Sequence, residues 1–435
     1  MTFEGPVAGL VGFLTVLVLI LLRMPVAVAM GLVGALGYGL VNGFGTLGLI
    51  LGKALFETIA PVTLSVVPLF ILMGVFAGHG GVSQSLYNLM SSFVGHFRGG
   101  LAMATVGASA LFGAVSGSSI ATTATIGKIA MPQMRRLGYD DRLASASLAA
   151  GGTLAVMIPP SILFVVYGLM TENPIGTLFI AGVLPGILGA LLYMCAVRWM
   201  TWRNPRLGPA KERVDWSRRV RDILQVWQVV LLFGLVLGGM YLNFFAPTEA
   251  AAVGAFGAIV LAALSGRLNW ASLRSGFAET ATASAMIFMI LVGATIFNYF
   301  MDTTGFTDSL IGAVKGASLD RWTVFLLLCV FYILLGCVMD SLSMIMLTIG
   351  AVYPLVKALG FDVIWFGVIL VTLGEIGLIT PPIGINLFVL TATVPNLSMR
   401  TVCRGITPFV MADCVRIAVL TLFPAIALWL PSFMK

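Results

Sequence analysis

Charge is what this 435-residue chain has least of. Only 9% of its residues are Asp, Glu, Lys or Arg, while 59% are hydrophobic. An ordinary soluble domain is roughly 25% charged. A soluble globular fold is therefore excluded, and the composition is that of a polytopic helical membrane protein with room for roughly ten or more spans of ~20 residues. Histidine is nearly absent, with His79 and His96 near span ends. The five cysteines (Cys195, Cys329, Cys337, Cys403 and Cys414) are scattered and odd in number. That spacing fits neither a disulfide framework nor a metal motif. The net charge of +7 does not point to nucleic acid. Its basic residues concentrate between Arg198 and Arg221, as expected of a cytoplasmic loop. The first apolar run, Val7–Leu22, ends at Arg23 without a small-residue cleavage site and reads as a first span.

What is present is punctuation, and it repeats at an offset of about 222 residues. Pro25 matches Pro247, Glu57-Thr58 matches Glu279-Thr280, and Gly113 matches Gly336. Gly152 matches Gly374, Pro159-Pro160 matches Pro381-Pro382, and Gly182 with Pro185 matches Gly405 with Pro408. The order is kept through both halves, which reads as an internal duplication.

The most informative stretch is G-A-V-S-G-S-S-I-A-T-T-A-T-I-G, Gly113–Gly127. It is small, hydroxyl-rich and deep in apolar sequence. An opened backbone is tolerated at membrane depth only where protein or a water-filled cavity covers it. Its two arms are each about 15 residues, or ~22 Å, short of a ~30 Å hydrocarbon core. Arg98 precedes them and Arg135 and Arg136 follow. A re-entrant hairpin from the cytoplasmic side satisfies these facts; two ordinary spans with a glycine packing face are the alternative. A second hairpin is expected over about Trp322–Val356, with its tip at Gly336–Met344. Two broken spans follow the hairpins, Leu143–Leu169 around Gly151–Pro160 and Val363–Thr391 around Gly374–Pro382, where paired prolines remove amide donors. Thr46–Ile59 and Arg267–Glu279 read as interfacial helices, Thr282–Met301 as a separate span, and Ile406–Leu430 as the last.

Counting crossings places the second hairpin on the outer side. The halves are thus inverted, and inverted repeats with broken helices meeting near the midplane describe a secondary transporter. The expected division is 1–98 for the first scaffold and arm helix and 99–171 for the first transport unit. A span and basic loop occupy 172–222, the second scaffold and arm 223–301, the second transport unit 302–404, and the final span 405–435.

In each half a hairpin tip should meet a broken span and offer hydroxyls and freed carbonyls. Oxygen ligands without sulfur or imidazole suit a hard cation. With a single strong charge at either tip a divalent ion is under-supplied, and sodium fits better. The first cation site is expected at Ser116, Ser118 and Ser119 with Gly152, Thr153 and Val156. The second is expected at Asp340 and Ser343 with Gly374, Gly377 and Thr380. Asp340 is a costly carboxylate at membrane depth, or alternatively the cap of a half-helix. Glu375 is a proton carrier or faces water. Glu249 follows a proline at a helix start and reads as a cap. An organic anion suits exposed helix N-termini, with Ser119, Thr122, Pro159, Ser341 and Pro381 expected to face it. An intramembrane hydrolase using Ser119 is disfavoured, because no base stands near that serine.

Taken together, several stretches carry a family resemblance. They are the hydroxyl-rich tip, I-P-P at Ile158–Pro160, F-A-P-T-E-A-A-A-V-G-A at Phe245–Ala255, M-D-S-L-S at Met339–Ser343 and L-I-T-P-P-I-G at Leu378–Gly384. Over essentially its whole length the chain resembles the large membrane subunit (DctM type) of tripartite ATP-independent periplasmic (TRAP) transporters. The resemblance implies an elevator-type carrier in the bacterial inner membrane. It implies sodium-driven uptake, through two or more sodium sites, of organic acids such as C4-dicarboxylates or sialic acid-like sugar acids. It also implies two partners: a small four-helix membrane subunit (DctQ type), expected as a separate protein, and a soluble periplasmic binding protein (DctP type). Related dicarboxylate–sodium symporters carry Ser-Asn-Thr at their hairpin tips, where this chain has Ser-Gly-Ser-Ser and Asp-Ser-Leu-Ser. The alternative within transport is a self-sufficient sodium- or proton-coupled dicarboxylate symporter, with Asp340 and Glu375 as proton carriers.

Overall fold

The structure, a computed structural model, describes residues 5–434; residues 1–4 and Lys435 of the expected terminal segments lie outside it. Every regular element among the described residues is helical. Six helices are long and apolar enough to cross a membrane, or seven if the bent pair Trp216–Gln225 and Trp227–Tyr241 is one span. Several further apolar helices among the described residues are shorter. Pro6–Leu21, Val26–Asn42, Gly100–Ser116, Arg321–Gly336 and Val363–Ile379 are each 16 or 17 residues.

A helix–turn–helix pair stands at each of the two places where a hairpin is expected. Gly100–Ser116 turns back into Ser119–Arg136, and Arg321–Gly336 turns back into Ser341–Ala358. The returning arms each contain one internal proline, Pro132 and Pro354, which sit at the repeat offset. Both broken spans form too. Asp141–Thr153 passes through a single tight turn, Leu154–Val156, before Ile162–Thr171 resumes; Val363–Ile379 is separated from Ile385–Thr393. The Pro159–Pro160 and Pro381–Pro382 bonds in the breaks are both cis.

The halves differ at their arms. In the first, Phe44–Ile59 stops before Pro61 and the next helix starts at Val66 after one tight turn. In the second, one unbroken helix of 34 residues, Trp270–Thr303, replaces the expected interfacial helix and separate span. The reason is local: Ala283 stands at the repeat position of Pro61, and nothing removes the amide that continues the helix. Other differences are smaller. A further helix, Phe306–Gly316, precedes the second hairpin. The basic segment is only partly a loop, since Arg218, Arg219 and Arg221 lie on Trp216–Gln225. The last span runs Met399–Leu422 and ends at Phe423 and Pro424, short of Leu430.

Packing crosses between the halves. Val26–Asn42 lies along Trp270–Thr303, and its repeat counterpart Pro247–Leu264 lies along Val66–His79. The first contact is close because glycines allow it: a Cβ on Gly34 would lie 2.7 Å from Phe297 Cα, and one on Gly293 would strike the Ala27 carbonyl. Ile175–Arg203 packs on Val363–Ile379, and its counterpart Met399–Leu422 packs on Asp141–Thr153. The connection between the halves is docked rather than free. Gly99 N donates to Gly208 O (2.8 Å), Asp140 N to Leu207 O (3.0 Å) and Lys211 N to Gly95 O (3.1 Å), which pins residues 207–211 under the base of the first hairpin.

Candidate functional site

The first hairpin tip is a two-residue turn. Gly117 takes the left-handed conformation (φ 60°) that a side chain would strain, and its amide donates to Gly113 O at 2.7 Å. Ser118 is extended, and its hydroxyl accepts the Ala121 amide at 3.3 Å as an N-cap. Ser116 Oγ lies 2.7 Å from Thr122 Oγ1. Ser116, Ser119 and Thr122 are buried and Ser118 is half-buried.

This tip rests on the break of the first broken span. A Cβ on Gly113 would collide with Ala155, and one on Gly152 with the Thr123 hydroxyl while lying 3.3 Å from Ser119 O. One on Gly117 would lie 3.0 Å from Pro160 O. Of the residues expected at the first cation site, Gly152 therefore stands against Ser119. The Val156 carbonyl accepts the Ser161 hydroxyl, and Ser161 in turn caps Ile162–Thr171. The Thr153 hydroxyl turns the other way, bonding Ala150 O at 2.8 Å and Tyr193 OH at 3.2 Å.

The second half repeats the junction at equivalent positions. Gly336 meets Gly377 as Gly113 meets Ala155: a Cβ on Gly336 would lie 2.9 Å from Gly377 Cα. Ser341 meets Gly374 as Ser119 meets Gly152, here through a hydrogen bond from Ser341 Oγ to Gly374 O at 3.0 Å. Asp340 caps the returning arm, its Oδ2 accepting the Ser343 amide (3.0 Å) and its Oδ1 the Ser343 hydroxyl (2.6 Å). Thr380 Oγ1 donates to Ile376 O at 2.6 Å. Each junction thus gathers glycine backbone, hydroxyls and helix N-termini, a surface suited to oxygen-liganded cations and to anions. The junctions differ in exposure: Pro159 and Pro160 are buried, whereas Pro381 and Pro382 are exposed.

The halves exchange helices next to the two junctions. Ile162–Thr171 packs on the second hairpin's returning arm, and its counterpart Ile385–Thr393 packs on the first hairpin's returning arm. Asn386 Nδ2 on the same helix donates to Ala149 O of the first broken span at 3.2 Å. At the outer end Arg135 forks onto Asp141 (3.0 and 2.8 Å) and donates to Pro395 O at 2.9 Å. The hydrogen bonds it donates to Asp141 hold the Arg135 guanidinium above its ordinary pKa.

Other expectations resolve simply. Glu249 accepts the Ala246 amide at 2.9 Å, as a cap should. The five cysteines are free, and no three His, Cys, Asp or Glu among the described residues could hold a metal ion. Glu375 does not face water: it is fully buried and paired with Arg416, which also meets Asp413 at 2.9 Å. Sequence reading missed Asp413 and Arg416, although two ionisable residues inside an apolar span are a signal in themselves.

The chain's residues 13–426 match the family model described as "Tripartite ATP-independent periplasmic transporter, DctM component". It belongs to the DctM family. Among the relatives of this DctM protein, the C4-dicarboxylate TRAP transporter large permease protein DctM of Pseudomonas aeruginosa is 37% identical over 384 residues, 87% of this chain and 88% of that one. The isethionate TRAP transporter permease protein DctMQ of Oleidesulfovibrio alaskensis is 33% identical over 86% of this chain, which covers 59% of that longer protein. In fold, this DctM chain is similar to the YdaH transporter of Alcanivorax borkumensis, with a TM-score of 0.60, 16% identity and 90% of each chain covered. The protein is a multi-pass permease subunit of the bacterial inner membrane, not an enzyme.

Proposed function

We propose that this DctM protein carries an organic acid inward, driven by sodium, as one of three components. The observation that carries the reading is the duplicated junction, where a capped hairpin tip lies on glycine backbone at a broken span in each half. Ser116, Ser118 and Ser119 with Gly152 would hold one sodium ion. Asp340 and Ser343 with Gly374, Gly377 and Thr380 would hold another. The substrate carboxylate would lie between the junctions, against Ser119, Thr122, Ser341 and the Pro159 and Pro381 bends.

The unequal exposure of the two proline pairs is what a carrier open to one side has. In this reading the hairpins are re-entrant from opposite faces, and the units 99–171 and 302–404 travel together past the scaffold in an elevator motion. On this reading a cavity of about 230 Å³ between the arm (Glu57, Thr58, Pro61) and the first broken span (Leu169, Met170) would lie between the moving units and the scaffold.

The family's description as a tripartite periplasmic transporter and the relatives' names as large permease proteins support a reading with two partners, which we take to be a small membrane subunit and a periplasmic binding protein. The relatives' names also add the substrate class, C4-dicarboxylate or isethionate-like acids. The test is uptake of such acids into proteoliposomes holding the permease and its small subunit, with and without the binding protein. Uptake should require the binding protein and an inward sodium gradient at fixed pH. Uptake by this chain alone, or driven by a pH gradient without sodium, would establish the self-sufficient or proton-coupled symporter instead.

A further inference from the structure

The two hairpins are repeats, yet they turn different surfaces outward. In the second, the outgoing arm Arg321–Gly336 exposes Leu326, Leu327, Val330 and Leu334, large apolar side chains of the kind that lipid covers. Its returning arm, Ser341–Ala358, has no exposed residue before Lys357. In the first hairpin the roles reverse. Gly100–Ser116 exposes only Leu111, while the returning arm Ser119–Arg136 is open along one face. Ile120, Lys128, Pro132 and Arg136 are exposed and Ala124 is half-buried, every fourth residue on one side of the helix, with half-buried Thr125 and Gln133 beside them. A charged residue at this depth faces a water-filled space rather than lipid, and the small and polar side chains around it agree.

The neighbouring helix Ile385–Thr393 packs on this arm, where a Cβ on Gly127 would lie 3.3 Å from Leu390 Cδ1. That helix exposes Phe388 and Ala392, and the exposed Pro381 and Pro382 stand at its head. Two open faces thus run side by side from the tip and the bend to the base of the first hairpin, where Arg135 meets Pro395. Lys128 is the one charged residue on either face before Arg135. It stands about 14 Å along the helix from Ser119, and among the described residues it has no ion pair and no hydrogen bond. The fold does not demand it: Ile126-Gly127 matches Ile349-Gly350, and Ala351 holds the repeat position of the lysine.

We propose that Lys128 is an anion subsite on the inward path: it receives the carried organic anion after the junctions and before Arg135 and Arg136. This rests on the inward-carrier reading and adds a residue that makes the two ends of the path unequal. The junctions offer amides and hydroxyls but no positive side chain. Lys128 supplies one, and a charge beside a low-dielectric wall concentrates its counter-ions. The second hairpin's returning arm has neither the open face nor the lysine, so the subsite exists on one side only.

The test measures uptake of labelled succinate into proteoliposomes holding the permease and both partner proteins, preloaded with increasing unlabelled succinate, for wild type, Lys128→Gln and Lys128→Arg. In Lys128→Gln the internal succinate that halves uptake should rise about tenfold, while half-saturation by external succinate and by sodium stays within about twofold. Lys128→Arg should behave as wild type, and 1 M potassium chloride on both sides, where screening acts within about 3 Å, should erase the difference. Internal and external values raised alike, or neither raised, would overturn the proposal. A second arm needs no uptake: the purified full-length chain is treated with a water-soluble amine reagent and read by mass spectrometry at Lys128. Succinate should slow modification of Lys128 at least about threefold against chloride of equal ionic strength, and leave the exposed Lys315 unaffected. An unreactive Lys128, as expected of a lysine sunk in lipid, or one that succinate does not protect, would overturn it. A wild type that takes up no acid would sink the carrier reading instead, and the labelling arm would still decide Lys128.

Discussion

The Gly336–Gly377 junction allows a sharp test, because two backbones touch there with no side chain between them. Take Gly377→Ala. A Cβ at that position would lie 2.6 Å from Gly336 Cα, 2.7 Å from its carbonyl carbon and 2.8 Å from its oxygen, against 3.4 Å where ordinary contact begins. All three obstacles are backbone, so no rotamer relieves them. The second hairpin tip must retreat from the broken span by about 0.8 Å, at a cost of about 1–3 kcal/mol for overpacking. That loss lowers the melting midpoint modestly but leaves the chain folded. A bound cation is less forgiving, since its ligand distances hold to about 0.2 Å. If Asp340 and Ser343 share an ion with the Gly374–Thr380 backbone, the half-saturating sodium concentration for uptake should rise at least about tenfold. The assay is initial uptake rate against sodium in proteoliposomes with both partner proteins, beside a melting curve. Gly312→Ala is the control, since its Cβ meets nothing within 4 Å. A Gly377→Ala chain that is folded, measurably destabilised and unchanged in its sodium response would refute the placement of an ion at this junction.

Other outcomes follow from the same geometry. Asp340→Ala should reduce uptake to background while membrane insertion persists, and should cost about 1 kcal/mol for the lost cap. Asp340→Asn keeps the cap, so a melting midpoint near wild type with uptake still at background would separate the charge from the capping role; undiminished uptake by either variant would count against Asp340 as a ligand. Ala283→Pro should break the 34-residue helix at the place where Pro61 interrupts the first half, costing about 3 kcal/mol in chemical denaturation. An unchanged denaturation curve would mean that the continuous helix is not there.

How far the sequence carried depended on the kind of signal. Glycine and proline act locally, so both hairpin tips and both breaks were legible within a few residues. The repeat offset then told which tip belonged to which break. The unbroken Trp270–Thr303 helix was not legible by analogy, because the neighbouring match Glu57-Thr58 to Glu279-Thr280 is kept while Pro61 is replaced by Ala283. The exchange of helices between halves was also hidden: Ile385–Thr393 and Ile162–Thr171 look alike in sequence whichever arm they pack on. Glu375 stood out as a deep carboxylate, but its partner lies 41 positions away on another span. Periodicity says nothing about that distance. Asp340 was readable as a helix cap, and Ser118 emerged as one only in the structure; whether they also bind ions depends on oxygens brought from elsewhere in the chain.

The crossed packing has a consequence for synthesis. As the ribosome feeds this chain to the membrane, Val26–Asn42 and Val66–His79 emerge long before Trp270–Thr303 and Pro247–Leu264, the helices they grip. The early segments must wait in the lipid with those faces uncovered. Neither half is a module that could mature alone, and a gene split within residues 207–211 should give working carrier only when both pieces are made in the same cell.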